Sequence, residues 1–247
     1  MISAERLRHF LRKRMRARRL GVPLGRSANF RLPAQVRING VRRPLTLPNQ
    51  RGIRVAFMEL LLADCYGLEK VPRPVETVLD IGANVGLFCV AARNAFPHAT
   101  IHAYEPNSGL EPYLKAQAEA TDCRYFLEAV DVEDGTVALD FDADDSVNTR
   151  SKLDVSGRIP AVAFRKTIER LGGRVDLAKV DCEGAEWDLW RDREAWQQVR
   201  SLSLEYHLWP AHTHEEVQQV VAGLGFTVQE QAPTSDFGLI LATRSGR

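Results

Sequence analysis

The sequence predicts an alternating α/β fold on a mostly parallel, doubly wound sheet, and three observations carry that prediction. From Glu76 onward, short β-rich apolar runs alternate with segments of helical periodicity, the pattern of βαβ units. A glycine turn, Gly82 to Gly86, stands between the first run and the helix that follows, where such folds hold a ligand. The chain closes on two apolar runs with a short connection, which predicts an antiparallel hairpin at one edge. A length of 247 residues suits one such domain plus an appendage. With 45% hydrophobic and 26% charged residues, wholesale disorder is excluded.

Taken in order, residues 5–20 predict a basic helix with Leu7, Phe10, Leu11 and Met15 on one side. Asn39-Gly40 between Gln35–Ile38 and Val41–Leu45 predicts a tight hairpin. Arg51–Leu68 reads as a helix with Gly67 near its end, and Val71–Val75 breaks the chain with two prolines. Residues 1–70 are therefore expected to form a small α+β cap, and 71–247 the main domain. In that domain the predicted strands are Thr77–Ile81, Thr100–Tyr104, Tyr125–Val130, Thr136–Phe141, Val175–Val180, Leu202–Tyr206, Phe226–Glu230 and Gly238–Ala242. Helices are predicted at Leu87–Asn94, Leu110–Ala120, Phe164–Leu171, Ala185–Trp190 and His214–Leu224. The polar stretch 142–158 reads as a loop or lid.

The formal net charge of +1 hides an asymmetry. Residues 1–20 hold eight Lys/Arg and one acid, which leaves the remainder acidic by about six charges. Such an arm either docks on the acidic body or contacts nucleic acid, acidic lipid or an anionic substrate. No apolar run approaches the roughly 20 residues that span a bilayer, so no membrane span is expected. Cys65, Cys89, Cys123 and Cys182 are scattered without a C-x-x-C pair, which favours reduced thiols and a cytoplasmic location.

The loop Asp80-Ile81-Gly82-Ala83-Asn84-Val85-Gly86 is the strongest chemical signal. A dinucleotide loop reads G-x-G-x-x-G, and its middle glycine gives way to a pyrophosphate. Here Asn84 occupies that place, and Asp80 precedes the first glycine. An acid there repels pyrophosphate but suits an α-ammonium. Glu105 ends the next strand about 20 residues on, where an acid accepts ribose hydroxyls. Together these features point to S-adenosylmethionine (SAM), which carries an ammonium and a sulfonium and no phosphate. Asp80, Gly82, Ala83, Asn84, Gly86, Glu105 and Pro106 are the candidate cofactor residues, with Ala129 and Val130 beside the adenine.

Four blocks then occur in order: the glycine loop, Phe96-Pro97, Tyr104-Glu105-Pro106, and Ala178-Lys179-Val180-Asp181-Cys182-Glu183-Gly184-Ala185-Glu186. Over roughly residues 75–210 they resemble the FkbM family of methyltransferases. The resemblance implies a Rossmann-like, seven-stranded class I fold with SAM as methyl donor and S-adenosylhomocysteine as product. It also implies O-methylation of hydroxyls on sugars, glycans or natural products.

Asp181, Glu183 and Glu186 follow one predicted strand, and Glu205 and His207 end the next. Methyl transfer to an alcohol needs the hydroxyl proton removed during attack, so Asp181 or His207 is the candidate base, with Glu183 beside them. A divalent metal is not expected; Asp142-Ala143-Asp144-Asp145 reads as solvated loop. Glu128 is an ordinary strand end or lies near the adenine, and Trp209 is a candidate wall of the acceptor site. Two competing readings are a nucleic-acid methyltransferase that uses the basic arm and a SAM-binding protein without catalysis. Against the first, the strand ends Val180-Asp181-Cys182-Glu183 and lacks the N/D-P-P-Y/F motif of amino-methylating enzymes. The expected partner is thus a small-molecule or glycan acceptor, with a homo-oligomer possible.

Overall fold

The computed structural model describes residues 4–23, 30–140, 150–153, 158–208 and 212–244. Trp209 and most of the polar stretch 142–158 lie outside those residues.

The N-terminal part opens with helix α1 (Ala4–Leu20) and the hairpin β1 (Gln35–Ile38) and β2 (Val41–Pro44). Asn39 and Gly40 turn that hairpin at φ 49° and 80°, the left-handed pair such a turn requires. Helix α2 (Arg51–Phe57) runs on as a wider π-type turn over Met58–Ala63. It stops at Asp64, φ 59°, rather than continuing to Leu68 as its periodicity predicted. The Asp64 carboxylate accepts hydrogen bonds from the backbone N–H groups of Leu68 (2.8 Å) and Glu69 (3.2 Å), so it ends one helix and starts the next turn.

The main domain follows with β3 (Thr77–Ile81), α3 (Leu87–Ala95), β4 (Thr100–Tyr104), α4 (Glu111–Thr121), β5 (Arg124–Phe126) and β6 (Ala129–Asp131). Next come β7 (Gly135–Asp140), β8 (Arg150–Leu153), β9 (Ile159–Ala163), α5 (Phe164–Arg170), β10 (Val175–Val180), α6 (Glu186–Leu189) and α7 (Arg193–Trp196). The chain ends with β11 (Val199–His207), α8 (His214–Gly223), β12 (Thr227–Pro233) and β13 (Phe237–Thr243).

Seven strands form one sheet in the order β12-β13-β11-β10-β3-β4-β5. All neighbours pair in parallel except those of β13, which runs against both β11 and β12. This is the Rossmann-like, mostly parallel α/β fold with a C-terminal edge hairpin. All six residues of β10 are buried, as expected where helices cover both faces of a parallel sheet. From β3 the chain builds outward through β4 and β5; from β10 it builds the other way through β11. The switch point therefore lies between β3 and β10, and it sets their carboxyl ends side by side.

The main domain also departs from the sequence prediction: β9 and the short α7 were not predicted. The predicted strand Tyr125–Val130 is broken at Leu127-Glu128: β5 stays in the main sheet, while β6 joins β9, β7 and β8 in a second, four-stranded sheet. The polar stretch after β7 also contributes a strand, β8, paired antiparallel with it. The N-terminal part shares a core with the main domain, since Ile53, Phe57 and Leu61 pack in one cluster with Val85, Leu87 and Val90.

Candidate active site

The switch point fixes the glycine loop. The backbone N–H groups of Gly82 and Ala83 both donate to the Tyr104 carbonyl, at 3.0 and 2.9 Å, and Asp181 N–H donates to Ile81 O at 3.1 Å. Gly82 sits at φ 77°, and a Cβ there would lie 1.7 Å from the Asp181 carbonyl oxygen. Its missing side chain is thus required by the neighbouring strand end as well as by its dihedral. Asn84 also takes a positive φ, 49°; its N–H donates to Glu105 Oε2 at 2.8 Å, and its side chain accepts from Val85 N–H. Glu105 Oε1 accepts from Asn107 N–H at 2.8 Å. Each Glu105 oxygen keeps a second lone pair. Burial pushes the carboxyl up to about 7, against the pull of those two amides.

A cavity of about 390 Å³ opens over this loop, within the range of ordinary small-molecule sites, roughly 300–1,000 Å³. Gly82, Ala83, Asn84, Lys179, Asp181 and Glu205 are among its walls, and the N-terminal part supplies others, including Arg51, Glu59 and Tyr66. Glu105 stands one hydrogen bond behind the wall, through Asn84.

Two further residues, Lys179 and Tyr66, complete the site. Lys179 is buried within β10, with its ammonium 3.3 Å from Asp80 Oδ1, 3.6 Å from Asp181 Oδ2 and 2.5 Å from the Gly82 carbonyl. Burial opposes its charge, but Asp80 and Asp181 outweigh burial and raise its pKa above the usual lysine value. Asp80 is fully buried, and its counter-charge is Lys179. A lysine at an inward position of a wholly buried strand was a visible signal, since a lone buried ammonium is costly and calls for partners.

Tyr66 arrives from the N-terminal part. Its hydroxyl lies 2.9 Å from Asp181 Oδ2 and 3.0 Å from Glu205 Oε2. The Ser203 hydroxyl donates to its carbonyl, which pins the residue to β11. A phenol carries one proton and donates to one carboxylate at a time, so the two acids compete for it. Burial and the Asp181 charge push Glu205 up to about 7.

Glu183 takes φ 52°, which turns its side chain back toward β11, and its Oε2 lies 3.2 Å from His207 Nε2. Burial pushes Glu183 up to about 8. Glu186 is fully buried and accepts from the N–H groups of Gly184 and His207, both at 2.7 Å. Burial works against a charged His207, but Glu186 and Glu183 raise it to about 9. The imidazole therefore favours its protonated form beside the Glu186 and Glu183 carboxyls. Asp181, Glu205 and His207 each bring a ligand-type atom within 4.8 Å of the others.

The remaining predicted residues sit farther out. Ala129 and Val130 are buried in β6, and Glu128 pairs with Arg170 at 2.5 Å. Gly86 starts α3 at φ 80°, and a Cβ there would press on Gln117 at 2.9 Å. Pro106 follows Glu105 at the end of β4.

Comparison with known proteins decides the family. The methyltransferase FkbM domain profile matches residues 80–228, more than half of the chain. The chain belongs to the FkbM methyltransferase family. Methyltransferase sdnD of Sordaria araneosa is 25% identical over 233 residues, covering 76% of this chain and 88% of that protein. Methyltransferase 1 of Beauveria bassiana is 26% identical over 181 residues, covering 60% and 70%. Precorrin-6y C5,15-methyltransferase of Geobacter metallireducens aligns in three dimensions over 82% of this chain and 93% of that one, with 14% identity and a TM-score of 0.46, too distant to inform the chemistry.

This FkbM enzyme is a SAM-dependent methyltransferase, and the cavity fits its donor. Four carboxylates line it, Glu59, Asp181, Glu183 and Glu205, against the cations Arg51 and Lys179. Burial raises Glu183 and Glu205 toward their neutral forms, so a ligand with a sulfonium and an ammonium would favour their ionised forms, whereas a pyrophosphate would oppose them. Among the described residues no helix is long and apolar enough to cross a membrane.

Proposed function

We propose that this methyltransferase acts on a hydroxyl group of a sugar, glycan or natural-product acceptor, and that Asp181 takes the hydroxyl proton. The observation that supports this most directly is the Tyr66 hydroxyl held between Asp181 and Glu205 on the cavity wall. Glu205, raised to about 7 by burial and by the Asp181 charge, is poised to exchange a proton near neutrality across the hydroxyl from Asp181, and alcohol methylation requires a proton acceptor of that kind.

Bound SAM supplies an electrophilic methyl group on a sulfonium. The chain supplies position and proton transfer. Gly82, Ala83 and Asn84 would hold the donor at the switch point, and Glu105, behind them, would fix Asn84 and lie toward its ribose. Asp80 acts through Lys179, which fixes the Gly82 carbonyl and the Asp181 carboxylate together. Gly86 and Pro106 shape the ends of that cradle, and Ala129 and Val130 lie toward the adenine. As the acceptor oxygen takes the methyl, its proton passes to Asp181, and the pair with Glu205 later releases it to water. Glu183, oriented by the His207 imidazolium, holds the acceptor at the cavity edge. The N-terminal part acts as a cap that completes the site.

The test is SAM turnover across glycoside and polyketide acceptors, with and without EDTA or magnesium, for the natural enzyme and Asp181→Asn. Turnover of the variant is expected to fall by about 10²–10⁴-fold while SAM affinity is retained. Unchanged turnover removes Asp181 from the chemistry. Loss of turnover with EDTA, restored by magnesium, replaces the proton-transfer reading with a metal-assisted one. Tight SAM binding with no acceptor methylated favours a binding protein.

A further inference from the structure

Helix α1 presents two faces of opposite purpose. Its C-terminal half is anchored: Ala17 and Leu20 are buried, and Arg16 reaches the Leu62 and Ala63 carbonyls at 3.1 and 2.9 Å and the Glu69 carboxylate at 2.8 Å. Arg16 thereby caps the end of the π-type turn over Met58–Ala63, where carbonyls lack helical partners. Leu7, Phe10, Leu11 and Met15 point elsewhere and are 46–54% exposed. At about 100° per residue they share an arc of roughly 140°, with Arg16 opposite Leu7. They make up four of the seven large hydrophobic residues exposed among the described residues. Arg8, Arg12, Arg14, Arg18 and Arg19, all exposed, border or interrupt that arc. Burial, then Lys13, Arg16 and Arg12, hold the His9 imidazole below its usual range.

We infer that α1 is a docking surface for an anionic lipid bilayer, on which the helix lies in the interface plane. Charge complementarity names the partner. Eight basic residues against one acid in residues 1–20 match a surface of lipid phosphates, and the Leu/Phe/Met stripe enters the acyl boundary beneath them. A second copy of the chain is disfavoured, because an isologous pairing through this stripe sets two helices of the same strong positive charge together. Single-stranded nucleic acid is disfavoured because three of the four apolar side chains are aliphatic and offer no ring for bases to stack on. At 17 residues, and this charged, the helix lies on a membrane rather than across it.

The experiment is vesicle flotation of the full chain on phosphatidylcholine alone and on phosphatidylcholine with phosphatidylserine. The natural chain is expected to partition at least ~10-fold more strongly to the anionic vesicles and to lose binding as salt rises. The double variant Phe10→Ser/Leu11→Ser keeps every charge and touches only exposed positions, so its thermal unfolding should match the natural chain. Its partitioning is expected to fall ~10-fold. Equal partitioning of that variant, or no flotation of the natural chain, overturns the inference. So does a concentration-dependent dimer that the variant abolishes, or RNA binding in a gel shift that outcompetes vesicles and survives the variant.

Discussion

Two loops meet at the switch point, and they are built in opposite ways. The glycine loop is determined mainly by backbone geometry, with the Glu105 and Lys179 side chains as its anchors. Gly82 and Ala83 hang from the Tyr104 carbonyl, Asn84 hangs from Glu105, and three consecutive alternate positions, Gly82, Asn84 and Gly86, take positive φ. The acid loop after β10 is determined by side chains from elsewhere. Asp181 is held by Tyr66 and Lys179, Glu183 by His207, and Glu186 by the backbone of β11. A loop fixed by backbone geometry needs particular residue types at particular places. A loop fixed by distant side chains needs only that the fold deliver them.

The largest expected effect tests that contrast directly. Gly82→Ala places a methyl 1.7 Å from the Asp181 carbonyl and imposes a side chain at φ 77°. One of the two strand ends must move. The variant is expected to lose at least about 3 kcal/mol of stability or to fail to fold, read by chemical denaturation. Glu183→Ala, at a positive φ but in the loop held by side chains, is expected to keep a stable fold. If Gly82→Ala is well tolerated, the switch point is looser than its hydrogen bonds state.

The same contrast explains what the sequence disclosed. The D-x-G-x-N-x-G spacing could be read because each residue answers a local dihedral or a neighbouring backbone group. The alternation from β3 to β13 was legible for a similar reason: period and turn residues are local. Tyr66 was not, because it lies 115 positions from Asp181 and 139 from Glu205, in a segment that reads as the end of a helix. The division of Tyr125–Val130 between two sheets was hidden as well. Nothing in an apolar run states which sheet edge each half will meet, and Ala129 and Val130 find theirs only through β9. The charge of His207 was equally obscure, since it depends on Glu183 turning back through a left-handed dihedral and on the buried Glu186.

A smaller effect sharpens the acid-loop half of the comparison. Tyr66→Phe removes the hydroxyl between Asp181 and Glu205 and keeps the ring, which packs edge-on to Phe88 with centroids 5.7 Å apart. The Tyr66 hydrogen bond lowers the pKa of Glu205, so its loss raises that pKa beyond about 7. Turnover is expected to fall about tenfold, and the acid limb of the pH–rate profile to move upward. A rate loss without movement of that limb assigns Tyr66 to packing alone.

The smallest effect is on stability against pH, and its sign follows from burial. Glu105 and Glu205 are raised to about 7 from an ordinary value near 4.5, and His207 is raised to about 9 from 6.5. In each case the folded chain binds protons more tightly than the unfolded chain. Stability from these groups is complete below their unfolded values and is lost as pH rises through the folded ones. The two carboxyls act between about pH 4.5 and 7, and the imidazole between about 6.5 and 9. From pH 6 to pH 9 the melting temperature of the free enzyme is expected to fall, read by scanning calorimetry. Glu205→Gln cannot ionise, so its melting temperature should fall less over the same range. This change stays within the acid loop, and the glycine loop should respond only through Glu105. If the melting temperature instead rises toward pH 9, Glu105 and Glu205 are already ionised in the fold, and Glu205 is not poised to exchange a proton near neutrality.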